Sequence, residues 1–207
     1  MRARRSADVA PARVALSALA WSPDGRTIAA GDEQGALRLV GVRGYDGAPV
    51  SSREASARHA SAVLTIDWSA DGMLMRTNCA ARELRFWDAA SGEPVAPARA
   101  RGVAWATCSC ALSAETIGAA DRADGDSRPT CAARTTGERD SGGGAPLLLV
   151  GDDLGALSLY AHPADAPGAE RRRVNAHGGP ICAVAVTGGS AVASLGARDG
   201  AVLVWAA

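Results

Sequence analysis

The sequence contains no lysine. All 22 basic residues are arginine, and 22 acidic residues balance them to a formal net charge of +0. Such a chain has no overall field that would draw nucleic acid or an anionic membrane to it, so neither is predicted as a partner. We attribute the arginine bias to codon usage in a GC-rich genome; the alternative is that arginine clusters recognise phosphate or carboxylate groups.

Long apolar runs and regular cysteine spacing are also lacking. No stretch approaches the roughly 18 apolar residues that a membrane-spanning helix needs. The five cysteines are odd in number and irregularly spaced, which favours reduced buried thiols over a disulfide framework or a zinc site. The arginine-rich start is compatible with a targeting peptide, but the apolar residues after it match a repeat strand.

Motifs for catalysis are missing as well. The sequence has no G-x-S-x-G, P-loop, H-E-x-x-H or G-x-G-x-x-G pattern. The carboxylate pairs Asp32-Glu33 and Asp152-Asp153 lie in equivalent predicted turns, where aspartate is favoured for backbone reasons. We therefore predict a protein that is not an enzyme, with no catalytic residue, no metal site and no cofactor.

Aromatic residues make up only 4% of the chain, yet five of them are tryptophan, and the tryptophans mark a repeat. The sequence WSPDG at residues 21–25 recurs as WSADG at residues 68–72. A third copy is split, with a first strand around Trp105 and later strands ending at Tyr160. The fourth copy ends at Trp205.

Every copy has the same order of elements. An apolar strand leads into an Asp-Gly or Gly-Gly turn, a second strand, a polar turn, a third strand and a segment able to form an outer strand. Four antiparallel strands every 40 to 50 residues or so are typical of a β-propeller blade. We predict an all-β WD-repeat β-propeller of about four blades, forming part of a larger propeller.

The repeat sets the predicted boundaries. An N-terminal arm at 1–13 precedes the blades, which are placed at about 14–57, 58–101, 102–175 and 176–207. Residues 119–145 are polar and glycine-rich, with almost no large apolar side chain. This composition predicts a disordered insertion in the third blade, which a short linker could replace.

Two histidines occupy the same place in their copies. His59 and His177 each stand nine residues before the end of a first strand, and Asp199 stands six residues before Trp205. In WD-repeat proteins such a histidine bonds through a serine or threonine to an aspartate in the turn, so we expect a structural role. The predicted structural residues are His59, Trp68, Trp87, Asp88, His177, Asp199 and Trp205.

The rest of this polar network looks degenerate from the sequence. Gln34, Ala81 and Leu154 stand where the other copies would have the aspartate, and Leu195 falls on the hydroxyl position of the last copy. Only the last blade is therefore expected to keep part of the network. The basic run Arg171–Arg173 is read as a solvated outer strand that discourages edge pairing, or alternatively as a surface for an acidic partner.

Several motifs together resemble one family. The stretch 67–88 contains Asp67, Trp68, Ser69, Asp71, Asn78, Glu83, Leu84, Trp87 and Asp88, in the pattern D-W-S-x-D, S-N and E-I-x-Y-W-D. The next stretch shows Trp105, Thr107, Cys110 and Leu112, a long polar insertion, and the turn Gly151-Asp152-Asp153. This order resembles the echinoderm microtubule-associated protein-like (EML) family over nearly all of residues 14–206.

The resemblance implies a non-catalytic interaction module that binds tubulin or microtubules, in the cytoplasm at the cytoskeleton or in cilia. The family's basic region and trimerising coiled coil have no counterpart in this sequence, which is similar to the last four blades. A truncated gene model or degenerate paralogue is expected, with a closed four-bladed ring as the alternative. The expected partner-binding residues are Arg43, Arg53, Arg58, Arg171, Arg172 and Arg173.

A different partner would fit the same fold. A generic WD-repeat scaffold subunit of a ciliary or ubiquitin-ligase assembly shares the blade pattern, because fold alone does not determine function.

Overall fold

Strands account for nearly all the regular structure. The computed structural model describes residues 14–42, 51–120, 127–135, 145–186 and 191–206. In these ranges fifteen strands form four antiparallel sheets, and helix is limited to short segments. The predicted all-β fold with four propeller blades is confirmed. The chain divides into two compact units, Met1–Thr107 and Cys108–Ala207.

The first unit contains two four-stranded sheets, in which strands adjacent in sequence are also adjacent in space. Blade 1 consists of β1 (Leu16–Trp21), β2 (Thr27–Asp32), β3 (Leu37–Gly41) and β4 (Ser51–Glu54). Blade 2 consists of β5 (Val63–Trp68), β6 (Leu74–Cys79), β7 (Leu84–Asp88) and β8 (Pro94–Val95), followed by a 3₁₀ turn at Pro97–Ala100.

The second unit opens with a 3₁₀ turn at Ala114–Thr116 and a single helical turn, α1, at Ile117–Ala120. Blade 3 consists of β9 (Pro129–Arg134), β10 (Leu147–Asp152), β11 (Ala156–Ala161) and β12 (Arg171–Asn175). Blade 4 consists, among the described residues, of β13 (Ile181–Val186), β14 (Ala191–Gly196) and β15 (Val202–Ala206).

The repeated WSxDG sequences form the turn between the first two strands of blades 1 and 2. Ser22 Oγ donates to Asp24 Oδ1 over 2.6 Å, and Ser69 Oγ donates to Asp71 Oδ1 over the same distance. In each turn the hydrogen bond from the serine hydroxyl makes the largest contribution to lowering the pKa of the aspartate. The glycine that follows adopts the left-handed conformation, with φ of 72° at Gly72, which a side chain would disfavour.

Close packing between neighbouring blades explains two further glycines. A Cβ atom on Gly31 of β2 would lie 2.5 Å from Val63 Cβ of β5. At the equivalent point in the second unit, a Cβ atom on Gly151 would lie 2.8 Å from Ile181 Cβ. Both valine and isoleucine are fully buried. Val63 at the start of blade 2 and Ile181 at the start of blade 4 therefore fit only against a residue that has no side chain.

The inner strand of blade 3 differs from the prediction. It is β9, where Ala132 pairs with Val150 of β10, and it comes from within the stretch 119–145 expected to be disordered. Trp105 was expected in this strand. It instead forms an isolated antiparallel bridge with Ser69 at the end of β5, and so belongs with the first unit.

The physical reason lies in the small side chains of β9. Cys131 and Ala132 are almost fully buried, but the sequence PTCAAR has too little apolar bulk to produce a strand signal. The segment around Trp105 has larger apolar side chains, and its sequence therefore predicts the first strand of blade 3. The expectation that all of 119–145 could be replaced by a linker is therefore wrong for residues 129–134; residues 121–126 and 136–144 lie outside the described residues.

We predict that Ala132→Asp destabilises the chain by about 2–4 kcal/mol, because it places a carboxylate against Leu148, Val150 and Tyr160 in the core of blade 3. Urea unfolding followed by circular dichroism measures the change. Ala133→Asp is the matched control, since the Ala133 side chain is partly exposed and lies on the opposite side of the strand from Ala132, and it should cost less than half as much. Equal losses would contradict the assigned face of β9.

Candidate functional site

A chain of hydrogen bonds crosses the interior of blade 2. Trp87 Nε1 donates to Thr77 Oγ1 over 2.8 Å, and the same hydroxyl lies 2.6 Å from His59 Nε2. His59 Nδ1 lies 3.0 Å from Glu83 Oε2. Trp87 and Thr77 are fully buried. We call this set of four residues the blade 2 relay.

Blade 4 contains the same arrangement. Trp205 Nε1 donates to Ser194 Oγ over 3.0 Å, and Ser194 Oγ lies 2.9 Å from His177 Nε2. His177 Nδ1 lies 3.0 Å from Asp199 Oδ2, which also accepts the backbone N–H of Gly178. We call these four side chains the blade 4 relay.

The donor and acceptor roles follow from the chemistry of the groups. An indole nitrogen can only donate, and an ionised carboxylate can only accept. The ring hydrogen on His59 Nδ1 therefore points to Glu83, and the Thr77 hydroxyl accepts from Trp87. When the ring is neutral, the hydroxyl hydrogen points to His59 Nε2. The blade 2 relay thus fits one tautomer of a neutral His59 ring, with the hydrogen on Nδ1.

The electrostatics agree with this assignment. Burial lowers the pKa of His59, which favours the neutral ring. The Ala60 amide and then His59 lower the pKa of Glu83 from 4.5 to about 2. Because the pKa of Glu83 is lower in the folded chain than in the unfolded chain, its carboxylate contributes to the free energy of unfolding. The contribution is complete above pH 4.5 and is lost as the pH falls through about 2. The Ala201 and Gly178 amides and His177 lower the pKa of Asp199 in the same way.

Two sequence assignments are corrected here. The hydroxyl of blade 4 is Ser194, and the neighbouring Leu195 lies on the other face of β14, where it is exposed. A shift of one residue along a strand moves every side chain to the opposite face. Blade 2 also has a full relay, because Glu83 supplies the carboxylate two residues after Ala81.

Each relay histidine is also tied to the preceding blade. His59 N donates to Gly35 O, and His177 N donates to Gly155 O, both over 2.9 Å. Gly35 and Gly155 have φ of 84° and 89°, and a Cβ atom on either would lie within 2.3 Å of the histidine carbonyl oxygen. Arg82 holds the corresponding turn position in blade 2 with φ of 62°. The backbone of each relay histidine therefore ties its blade to the preceding one.

A second buried polar cluster was not anticipated from the sequence. Arg76 Nε donates to Asp67 Oδ2 over 3.0 Å, and both side chains are fully enclosed. Thr107 Oγ1 donates to Asp67 Oδ1 over 2.6 Å, and the guanidinium lies 4.4 Å from the ring centre of Trp105. The available signal was an arginine inside the apolar strand 74–79, since arginine is seldom buried unless paired.

The other predicted structural residues are also placed. Trp68 is 2% exposed, and its Nε1 donates to Ala20 O over 3.3 Å. Asp88 Oδ1 accepts the backbone N–H groups of Ala90 and Ser91, each over 3.0 Å, and so closes the turn after β7.

The arginines expected to bind a partner differ in their surroundings. Arg58 pairs with Glu54 on the same surface, and Arg53 donates to the carbonyl oxygen of Ala89. Arg173 is within 3.2 Å of the buried Asp152 carboxylate. Arg172 is exposed and Arg171 is partly buried on β12. Arg43 lies outside the described residues.

An apolar groove runs beside two of these arginines in the second unit. Its volume is about 200 Å³, and Arg172 and Arg173 stand at its border. Its apolar walls are formed by Leu147, Leu149, Leu157, Leu159, Val192 and Trp205. We call this feature the β12 groove. It combines apolar surface with positive charge, which suits an acidic segment that also carries apolar side chains.

The sheets and relays define the class of protein. Blades of antiparallel strands, in which a buried histidine, a hydroxyl and the tryptophan of the third strand are joined, are those of a WD-repeat β-propeller. The chain belongs to the family described as the echinoderm microtubule-associated protein second β-propeller, whose model matches residues 3–207. It is thus a propeller module of EML type.

Individual relatives support the same family. The chain is 30% identical to the 77 kDa echinoderm microtubule-associated protein of Strongylocentrotus purpuratus, covering 89% of this chain and 26% of that protein. It is 30% identical to human echinoderm microtubule-associated protein-like 3, covering 96% and 22%. It is 29% identical to echinoderm microtubule-associated protein-like 2 of Rattus norvegicus, covering 92% of this chain and 28% of that protein. The chain therefore spans about a quarter of the length of the curated relatives it matches.

No helix within the described ranges has the length and apolar character needed to cross a bilayer.

We predict that Thr77→Val destabilises the chain by about 2–3 kcal/mol. The change keeps the shape of the side chain but leaves the Trp87 N–H and His59 Nε2 buried without a partner. Thr77→Ser is the matched control: it keeps the hydroxyl, and its cost is limited to one lost methyl group, about 1 kcal/mol. Guanidinium unfolding measures both. A valine variant as stable as the serine variant would contradict the relay.

Proposed function

We propose that this chain is a non-catalytic interaction module that binds tubulin or microtubules at the cytoplasmic cytoskeleton. The observation that carries the proposal is the family match over residues 3–207. The names of the relatives reported above describe them as echinoderm microtubule-associated proteins or as similar to these proteins. Tubulin is the partner that this family membership favours, and its acidic exterior suits a surface with exposed arginines.

The chemistry of the buried polar groups supports a binding role over a catalytic one. In both relays each ring nitrogen of the histidine has a hydrogen-bond partner, and the rings of His59 and His177 are enclosed. Asp67 and Arg76 are likewise paired and enclosed. These groups hold strands and turns together and offer no open surface to a substrate.

The β12 groove is the surface we propose for the contact. Arg172 is exposed at its border, and the groove places apolar surface beside that charge. Arg173 has a second role, since its contact with Asp152 supports the turn between β10 and β11. Arg172 is therefore the better residue to test, because its replacement leaves that turn intact.

We predict that Arg172→Ser weakens tubulin binding about two- to fivefold, as expected for one exposed ion pair. Binding of the wild type should also weaken as salt rises, with a Debye length of about 8 Å at physiological ionic strength. Microtubule co-sedimentation and a pull-down of soluble tubulin measure both effects. Arg101→Ser is the matched control, because Arg101 is an exposed arginine of the first unit.

Two results would count against the proposal in different ways. If Arg172→Ser and Arg101→Ser bind equally, the β12 groove is not the contact surface, although tubulin can still be the partner. If the folded wild-type chain retains no tubulin at low salt, tubulin is not the partner. The generic WD-repeat scaffold role then remains.

A further inference from the structure

Three side chains of metal-binding type converge beside blade 3. Cys108 precedes the 3₁₀ turn, Glu115 lies within it, and His162 follows β11. Each offers one ligand atom, and the three atoms all lie within 4.8 Å of one another. Glu115 Oε1 and His162 Nε2 are 3.7 Å apart. All three residues belong to the second unit.

The backbone around these residues is held firmly. Ala164 N donates to Glu115 O over 2.9 Å, and Gly118 N donates back to Ala164 O over 2.8 Å. The approach is so close that a Cβ atom on Gly118 would lie 2.1 Å from Ala166 O. These bonds join the segment bearing Glu115 to the segment bearing His162, so the two segments are held together without an ion.

The surroundings of Cys108 complete the frame. Its side chain is 4% exposed and packs in the apolar cluster with Ala111, Ala119 and Leu148. The side chains of Glu115 and His162 are 20% and 11% exposed. The three donors thus lie at the edge of a core, where water is partly excluded and an ion could still enter.

The donor set selects the metal. A thiolate, an imidazole and a carboxylate suit zinc, whereas calcium and magnesium favour oxygen ligands alone. In a tetrahedral zinc site with N and O ligands at about 2.0 Å, those two atoms are about 3.3 Å apart. The observed 3.7 Å between Glu115 and His162 needs a contraction of only a few tenths of an ångström.

We propose that Cys108, Glu115 and His162 bind one Zn²⁺ ion, with water in the fourth position. The ion would join the loop before blade 3 to the chain that leaves β11, and so stabilise the folded chain by mass action. This inference does not depend on tubulin binding.

A second group of similar composition serves as the control. His59, Cys79 and Glu83 also lie within 4.8 Å of one another. There, both ring nitrogens of His59 belong to the blade 2 relay, with contacts of 2.6 and 3.0 Å. A metal would have to displace these hydrogen bonds, so we assign that group to the relay and place no ion in it.

Cobalt and zinc titration of the purified full chain under reducing conditions tests the proposal. Co²⁺ should bind at one equivalent, with thiolate-to-metal charge-transfer absorption in the near ultraviolet and visible bands of a tetrahedral site; Zn²⁺ should displace it. Glu115→Gln keeps the shape of the side chain and should weaken Zn²⁺ binding about 100-fold or more, beyond the effect of losing a supporting contact. Cys108→Ser should abolish the charge-transfer band, and Cys79→Ser should leave it unchanged.

Thermal unfolding provides a second readout that does not depend on the cysteine variant folding. Zn²⁺ should raise the Tm of the wild type and of Cys79→Ser, but not that of Glu115→Gln. The proposal is overturned if the wild type shows no thiolate–cobalt band. It is also overturned if Cys79→Ser removes the band, or if Glu115→Gln binds Zn²⁺ as tightly as the wild type.

Discussion

The hydroxyl group of Thr77 in blade 2, and that of Ser194 in blade 4, is held between a histidine ring and a tryptophan indole. Because the hydroxyl accepts from the indole and is also hydrogen-bonded to the ring, no apolar residue can replace it without leaving buried groups unpaired. The ring then reaches a carboxylate in the turn before the third strand. One contact thus sets the side-chain faces of two strands and the position of a turn.

The same constraint extends from a blade to its predecessor. The backbone N–H of His59 donates to the carbonyl oxygen of the turn glycine Gly35, and the carbonyl oxygen of His59 lies so close to Gly35 that a side chain on that glycine would have no room. Both ring nitrogens of His59 and of His177 are engaged within the relays. In the proposed binding role, recognition falls to the surface, where the β12 groove joins apolar and positive groups.

The fold was predictable where strong signals repeat. The recurrence of WSxDG reflects a serine–aspartate bond that shapes the same turn in two blades, and Trp68 and Trp87 mark strands with large buried side chains. Prediction failed where side chains are small or offset by one residue. β9 is buried through Cys131 and Ala132, which give no periodic signal. Ser194 was missed because only the pairing register shows which of two neighbours faces inward.

The candidate zinc site could not have been found from spacing, because Cys108, Glu115 and His162 come together only through the contact between two loops.

The relays hold the strands of blades 2 and 4 together, and exchange of the indole N–H hydrogens measured by NMR tests this most directly. The Trp87 indole hydrogen should exchange only on global unfolding, whereas that of Trp21, 53% exposed, should exchange rapidly. Equal exchange rates for Trp87 and Trp21 in the folded chain would contradict it.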